Sequence, residues 1–122
     1  MPTFSDLKAE SLRYYLAWTR EKTYCRALSK NVIISREGWH HLMSGNKTKK
    51  RLLKDKINRL KLLKAAKFTI TNSKKAFLEI RNRTKYYTLE SDFYYKNKKL
   101  QIRVVLKEDK AKNLTFFSVM RK

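Results

Sequence analysis

The sequence predicts an α+β domain in which N-terminal helices pack on an antiparallel sheet of four to five strands. Up to about Lys67 the apolar residues recur at helical spacing, and after it apolar and polar residues alternate with period two. Glycine and proline are scarce, with Gly 2 and Pro 1 in 122 residues, so no flexible linker divides the chain. We therefore expect residues 1–122 to form a single domain, with residues 1–30 as a helical extension of a core that spans residues 31–122.

The first half is expected to hold three helices and one short strand. The segment Ser5–Leu28 has a helical pattern with its first serine as N-cap. The β-branched run Asn31–Ser35 predicts a strand, and its last serine would cap a short helix that ends near Gly45. The segment Thr48–Ala66 is the clearest helix. One apolar stripe along it comprises Leu52, Leu53, Ile57, Leu60 and Leu63.

The second half is expected to form an antiparallel meander. Its strands are predicted at Phe68–Thr71, Ala76–Arg81, Tyr86–Tyr95, Leu100–Lys107 and Leu114–Met120. The fourth of these alternates most regularly, because every second residue from Leu100 to Leu106 is apolar. One face of the sheet should therefore pack on helices, and the other should meet solvent or a ligand.

The charge of the chain indicates the class of partner. There are 31 Lys+Arg against 10 Asp+Glu, which gives a formal net charge of +21. Such a chain repels itself unless a polyanion neutralises it, and a nucleic acid, above all RNA, is the usual one. A membrane-surface protein is the alternative, which the β-rich second half disfavours. We expect no membrane contact, because no apolar run is long enough to span a bilayer and the N-terminus does not resemble a signal peptide.

Several chemistries are excluded or disfavoured by the residue types present. The single cysteine, Cys25, permits no internal disulfide, which suits the reducing cytoplasm. The ten acidic residues are scattered, whereas a metal-dependent nuclease needs several convergent carboxylates. No phosphate-binding glycine loop and no His/Cys metal spacing is present. We therefore expect neither a metal nor a cofactor.

Metal-free RNA cleavage requires less of the protein. The RNA 2′-OH attacks its own neighbouring phosphate, so a base, a cation and an acid suffice. The only histidines, His40 and His41, are adjacent on the predicted short helix and so point about 100° apart. At most one of them can act on a given phosphate. On spacing alone, a surface or core-edge histidine is the better interpretation of either.

A longer pattern links these elements to a known family. The segment NVIISREGWHHLMSG, a basic helix, and strands ending LQIRVVLKED and LTFFSVM together resemble the barnase–EndoU–colicin–RelE superfamily of small ribonucleases. The likeness covers roughly Asn31–Met120 and is greatest to the phage- and toxin-associated branches. His41 matches the histidine of the family's helix pair, Arg103 lies in its Arg-Val-Val strand, and Ser118 lies in its terminal strand.

The resemblance implies a metal-independent endoribonuclease, often a toxin against tRNA or mRNA, free or on the ribosome. It also implies an acidic immunity protein or antitoxin as a partner. Many phage relatives carry a downstream Arg-His-Pro element, but this chain reads NKTKKRLL after Gly45. Lys47, Lys49 or Arg51 would then substitute for it.

The expected site follows from this resemblance. His41 would be the general base or acid, Arg103 the phosphate clamp, and Ser118, Tyr87 or Tyr86 the groups that orient or protonate. The residues expected to contact RNA are His40, Lys47, Lys49, Lys50, Arg51, Lys54, Tyr86 and Lys107. The alternative is a non-catalytic RNA- or DNA-binding module, which the basic charge fits equally well. A ribonuclease should bring His41, Arg103 and Ser118 to one cleft, whereas a binding module should scatter them.

Overall fold

The computed structural model describes residues 3–44, 53–95 and 97–122. This part of the chain contains four helices and six strands, and none of these helices is long and apolar enough to cross a membrane. In chain order they are α1 (Phe4–Thr19), β1 (Thr23–Cys25), β2 (Lys30–Ile33), α2 (Arg36–Ser44), α3 (Leu53–Lys61), α4 (Leu63–Asn72), β3 (Ala76–Arg81), β4 (Thr84–Tyr95), β5 (Lys98–Glu108) and β6 (Leu114–Arg121).

The strands form one mixed sheet in the order β1-β2-β6-β5-β4-β3. The predicted antiparallel meander is confirmed for β3 to β6. Strand β2 adds a parallel neighbour to β6 through the pairs Val32–Leu114 and Ile33–Thr115, and β1 pairs antiparallel with β2. The α+β class is therefore confirmed, and the sheet is wider than the four or five antiparallel strands expected.

The core lies between one face of this sheet and the helices. The predicted inward face of β5 is confirmed, because Ile102, Val104 and Leu106 are fully buried. Helix α4 packs against β4 and β5. The single helix predicted at Thr48–Ala66 is wrong in the described residues, because α3 ends at Lys61 and α4 begins at Leu63. Leu60 and Leu63 of the predicted apolar stripe are buried, one on each of these helices.

The first helix is shorter than predicted at its C-terminal end and begins earlier. Its N-cap is Thr3 rather than Ser5, because Thr3 and Asp6 form a capping box with both hydrogen bonds at 3.1 Å. The helix ends at Thr19, and the Trp18 indole Nε1 donates to the Thr23 hydroxyl at 2.8 Å inside the core. The prediction of helix as far as residue 28 was wrong, because tertiary contacts of Trp18 and pairing with β2 hold residues 23–25 extended. The segment expected to be an extension contributes Tyr15, Trp18 and Cys25 to the core.

The predicted strand Phe68–Thr71 is wrong, because these residues belong to α4. Ala66 and Ile70 are both fully buried, four residues apart, and so share one helix face. The β-branched side chain of Thr69 is accommodated by a 2.8 Å hydrogen bond from its hydroxyl to the carbonyl of Ala65. Burial of one helical face therefore outweighs the strand preference of this run.

Helix α2 lies unusually close to β6. A Cβ atom at Gly38 would stand 2.6 Å from the Phe116 carbonyl oxygen and 2.6 Å from the Tyr15 hydroxyl oxygen. Only glycine therefore permits this approach. Strand β2 pairs with β6 only through Leu114 and Thr115, and α2 packs along β6 beyond that point. This packing brings His41 of α2 next to the sheet.

Candidate active site

The sheet has a second face, opposite the core, and the strand register decides which predicted site residues lie there. Tyr86 pairs with Lys107, and Glu90 pairs with Arg103. Because side chains alternate along a strand, these four residues project away from the face that carries buried Val104. The second face, defined by Tyr86, Glu90, Arg103 and Lys107, therefore holds two of the predicted RNA contacts and the predicted clamp.

His41 reaches this face through a bulge in β6. Opposite Val105 and Leu106 the register shifts by one, which leaves Phe117 as the extra residue of β6. The Phe117 ring stacks on the His41 imidazole, with ring centroids 3.9 Å apart and planes at 28°. The Tyr86 ring meets the same phenyl ring in an edge arrangement, with centroids 5.4 Å apart. His41, Tyr86 and Phe117 are called the aromatic cluster below.

Two cations lie against the aromatic cluster. The guanidinium carbon of Arg81 stands 4.5 Å from the centroid of the Tyr86 ring. The Nζ atom of Lys107 stands 5.8 Å from the centroid of the Phe117 ring. Both distances fall within the range of cation–π attraction. The cluster therefore combines an imidazole, a phenol and two positive charges.

Lys107 also ties the sheet to α2. Its Nζ donates a 2.8 Å hydrogen bond to the Glu37 carboxylate, and this bond raises the pKa of Lys107 above its usual value. Glu37 precedes His41 by one helical turn, so both side chains leave the same face of α2. The ion pair and the aromatic stack together fix the orientation of α2 on β6.

Ser118 follows the stacked Phe117 but has a different environment. It is only 2% exposed, and its hydroxyl accepts a 2.5 Å hydrogen bond from Nη1 of Arg59 on α3. The same guanidinium nitrogen donates to the Val119 carbonyl at 2.8 Å. These bonds anchor α3 on β6, which gives Ser118 a structural contact beside the cluster.

Arg103 lies on the second face with an acidic neighbour. Its Nη2 atom is 3.9 Å from the Glu90 carboxylate, which also receives Nζ of Lys122 at 2.8 Å. Arg103 pairs with Met120, two residues from Ser118, so Arg103 and Ser118 are diagonal neighbours on adjacent strands. Ser118 therefore lies between Phe117 and the strand position opposite Arg103, but Lys107, four residues from Arg103 on β5, is the cation against the aromatic cluster.

Tyr87 is not brought together with these residues. It pairs with the buried Leu106 and so faces the core side of the sheet. Its hydroxyl donates to the Glu108 carboxylate at 3.2 Å, and desolvation together with this carboxylate raises the pKa of Tyr87. The interpretation of Tyr87 as a proton donor beside Arg103 therefore needs correction, since the sheet separates the two side chains.

The remaining residues predicted to contact RNA lie in different parts of the chain, and several fall outside the described residues. His40 lines a cavity of about 310 Å³ between α1 and α2, so it diverges from His41 as the helix geometry requires. Lys54 lies on α3, and its side chain is outside the described part of the structure. The other basic candidates fall outside the described residues, namely Lys47, Lys49, Lys50 and Arg51.

Sequence reasoning missed the residues that hold His41 in place. A regular alternation along the predicted strand Leu114–Met120 would place Phe117 on the same face as the buried Val119. Two adjacent aromatic residues at Phe116 and Phe117 were the only signal of the bulge. Glu37 and Arg59 gave no local signal, because their partners lie on strands distant in sequence.

Metal chemistry has no evident site in the described residues, where no group of three or more His, Cys, Asp or Glu side chains is arranged to hold an ion. Comparison with protein-family models, curated proteins and solved structures finds no match to this chain. What the chain does must therefore be argued from its charge and from the geometry of the second face.

Proposed function

We propose that this chain is a metal-independent endoribonuclease whose reaction centre is the aromatic cluster on the second face. The stack of His41 on Phe117, beside Tyr86 and Lys107, is the single observation that carries the proposal. The imidazole of His41, a proton-transfer group, is held there near the phenol of Tyr86 and the positive charge of Lys107. These are the kinds of group that cleavage by the RNA 2′-OH requires.

In the reaction, the 2′ oxygen of one nucleotide forms a bond to the adjacent phosphorus, and the bond from phosphorus to the 5′ oxygen breaks. His41 takes the proton of the 2′-OH, and Tyr86 gives a proton to the leaving 5′ oxygen. Lys107 and Arg81 stabilise the charge that builds on the phosphate oxygens. The products are a 2′,3′-cyclic phosphate and a free 5′-OH, and the step uses neither metal nor cofactor.

Both cations have acidic partners that a phosphate can replace. Lys107 pairs with Glu37, whose side chain is 56% exposed, and Arg81 pairs with Glu79 at 3.1 Å. Exposed ion pairs of this kind contribute only about 0–1 kcal/mol to stability, so replacing the carboxylate by an RNA phosphate costs little free energy. Arg103, proposed from the sequence as the clamp, is a secondary phosphate contact because it lies four residues from Lys107 along β5, whereas Lys107 and Arg81 lie against the rings of the aromatic cluster.

The substrate class follows from the same surface. Unpaired bases stack on exposed aromatic rings, so single-stranded loops of tRNA or mRNA, free or on a ribosome, suit the cluster better than a regular duplex. The charge of +21 supplies affinity for the backbone. We place the activity in the cytoplasm, as that of a toxin held in check by an acidic immunity protein or antitoxin.

The experiment that tests the proposal is incubation of the purified chain with total RNA in EDTA, followed by gel analysis. Cleavage by the wild type, and none by the His41→Ala variant at equal concentration, is the expected result. Intact RNA with the wild type would overturn the proposal, since EDTA removes no group that the reaction needs.

A second candidate is a non-catalytic RNA- or DNA-binding module. It is favoured by the buried bond of Ser118 to Arg59 and by the pairing of Arg103 with Glu90, because two expected catalytic residues then serve the fold. Such a module would bind RNA and DNA alike without cutting either. Both candidates predict that RNA affinity falls steeply with salt. Each phosphate contact contributes a slope of about −0.7 to −0.9 in a plot of log K against the logarithm of the salt concentration. Cleavage alone therefore separates them.

A further inference from the structure

Strand β3 forms one edge of the sheet and is unusually apolar for an exposed strand. Within the described residues, β4 is the only strand that pairs with it. Phe77, Leu78 and Ile80 are 56%, 53% and 60% exposed, although β3 is only six residues long. Proteins usually protect such an edge with charges, proline or a covering element, because its unpaired backbone groups invite another strand. This edge has no proline, and three of its six residues are exposed apolar side chains.

The apolar side chains of β3 lie on both faces of the sheet. Leu78 pairs with Tyr87 and so points to the helix side, as does Ile80, whereas Phe77 points to the second face. Helix α4 packs on β4 and β5, and the high exposure of Leu78 and Ile80 places them beyond its cover. An added strand with apolar residues on both faces would therefore pack against Leu78 and Ile80 on the helix side and against Phe77 on the second face.

Positive charges flank this apolar edge. Lys74 and Lys75 precede β3, and Arg81, Arg83 and Lys85 lie at its other end, all of them exposed. One acidic residue lies on the strand itself, and it is already paired with Arg81. The edge thus presents a backbone ladder and apolar side chains between two basic ends.

We propose that the β3 edge is a docking site for an acidic polypeptide, which adds to the sheet as a further strand with an apolar centre and carboxylates at its ends. Backbone hydrogen bonds to β3 would supply affinity, and the side chains of Phe77, Leu78 and Ile80 would supply specificity. The site does not depend on the proposed ribonuclease activity. Because Arg81 ends β3 and lies over Tyr86, a strand docked here reaches the margin of the aromatic cluster.

Two other occupants fit this edge less well. A nucleic acid has no amide ladder to pair with β3 and gains little from aliphatic side chains such as Leu78 and Ile80. A second copy of the chain, paired antiparallel, would set Lys74 and Lys75 against Arg81 and Arg83 of the other copy. Like charges at both ends, on two chains of +21 each, oppose that dimer.

The test uses a synthetic peptide with an alternating isoleucine–threonine centre and paired glutamates at each end, titrated into the full chain. Hydrogen exchange should slow at the amides of residues 77–80, and the peptide should bind measurably by fluorescence anisotropy. A peptide with the same sequence but N-methylated alternate amides should bind about tenfold more weakly or worse, because it cannot form the ladder. Equal binding of the N-methylated peptide, or unchanged exchange at residues 77–80, would overturn the proposal.

Matched variants and probes complete the test. The double variant Leu78→Thr/Ile80→Thr keeps strand propensity and should weaken binding. The control Tyr94→Thr removes a more exposed ring that lies beyond the β3 pairing, and it should leave binding unchanged. Circular dichroism of both variants checks that they fold. Two results would contradict an acidic polypeptide as the occupant. One is slower hydrogen exchange in β3 with a single-stranded RNA oligonucleotide but not with the peptide, and the other is a dimer that forms through β3 in high salt. Each readout stands whether or not the chain cleaves RNA.

Discussion

The imidazole of His41 stacks on the ring of Phe117, with a centroid distance of 3.9 Å and an angle of 28° between the planes. The two residues meet because Gly38 allows α2 to approach β6 and because a bulge directs Phe117 toward α2. The orientation of the proposed catalytic histidine therefore depends on an irregularity of the sheet. Bulges of this kind commonly aim a side chain near an active site.

Replacing His41 by Ala should abolish most cleavage and leave RNA affinity nearly unchanged. General acid–base catalysis contributes about 10²–10⁴-fold, whereas one histidine adds little to a backbone contact made by many cations. Single-turnover cleavage and filter binding measure the two effects. His40→Ala is the matched control, because His40 lines the cavity between α1 and α2 and should retain wild-type activity. The reverse pattern would show that the other histidine is the functional one.

Phe117 is expected to act as a positioning residue. Phe117→Leu removes the stack but keeps an apolar side chain, so kcat should fall about tenfold while KM and thermal stability change little. Phe117→Trp keeps a stacking ring and should restore most of the rate. A loss of kcat in the tryptophan variant equal to that in the leucine variant would indicate that stacking on His41 is irrelevant to the reaction.

The Glu37–Lys107 pair should give the stability a dependence on alkaline pH. The hydrogen bond from Lys107 to Glu37 raises the pKa of Lys107 above its unfolded value. The stabilisation is then fully present below the usual lysine pKa of about 10.4 and disappears as the pH rises through the higher folded value. Glu37→Gln should therefore lower the free energy of unfolding near neutral pH by up to about 1 kcal/mol, and this difference should vanish in strong alkali.

Denaturant titrations at several pH values measure this effect, and a second ion pair supplies the control. Glu79 pairs with Arg81, and an arginine stays charged throughout the range. Any effect of Glu79→Gln should therefore persist at high pH. A Glu37→Gln difference that stayed constant with pH would contradict the assigned role of Lys107.

The packing of α3 makes a prediction about stability alone. Leu60 is 3% exposed, so Leu60→Ala should cost about 2–5 kcal/mol of unfolding free energy in urea titration. Leu16→Ala on α1 removes the same atoms from a side chain that is 43% exposed and should cost about 0.5 kcal/mol or less. Similar losses for both variants would mean that α3 does not pack on the core.

The sequence was most informative where burial follows a local period. The alternation in β5 correctly gave its inward face, because Ile102, Val104 and Leu106, two residues apart, are all buried. The strand predicted at Phe68–Thr71 was wrong. Ile70 is buried at helical spacing from Ala66, and residue propensities carry no information about this tertiary burial. The parallel pairing of β2 with β6 was missed for the same reason, since it joins segments far apart in sequence.

The site was predictable in its residue types and less so in its geometry. His41 and Lys107 could be chosen from residue type and order, and both lie against Phe117. Tyr86 and Tyr87 were indistinguishable until the register placed one on each face of the sheet. No local pattern could show that Ser118 is held by Arg59, because that bond depends on the packing of α3.

The most direct test of the central claim is end-group analysis of one oligonucleotide pair in EDTA. An RNA strand that the chain cleaves is compared with the same strand carrying a single 2′-O-methyl group at the cleaved position. The account predicts a 2′,3′-cyclic phosphate from the first strand, and tight binding without cleavage of the second, because the nucleophile is blocked while the phosphates remain. Cleavage of the methylated strand at the same bond, or a wild-type chain that cuts neither strand, would contradict the account.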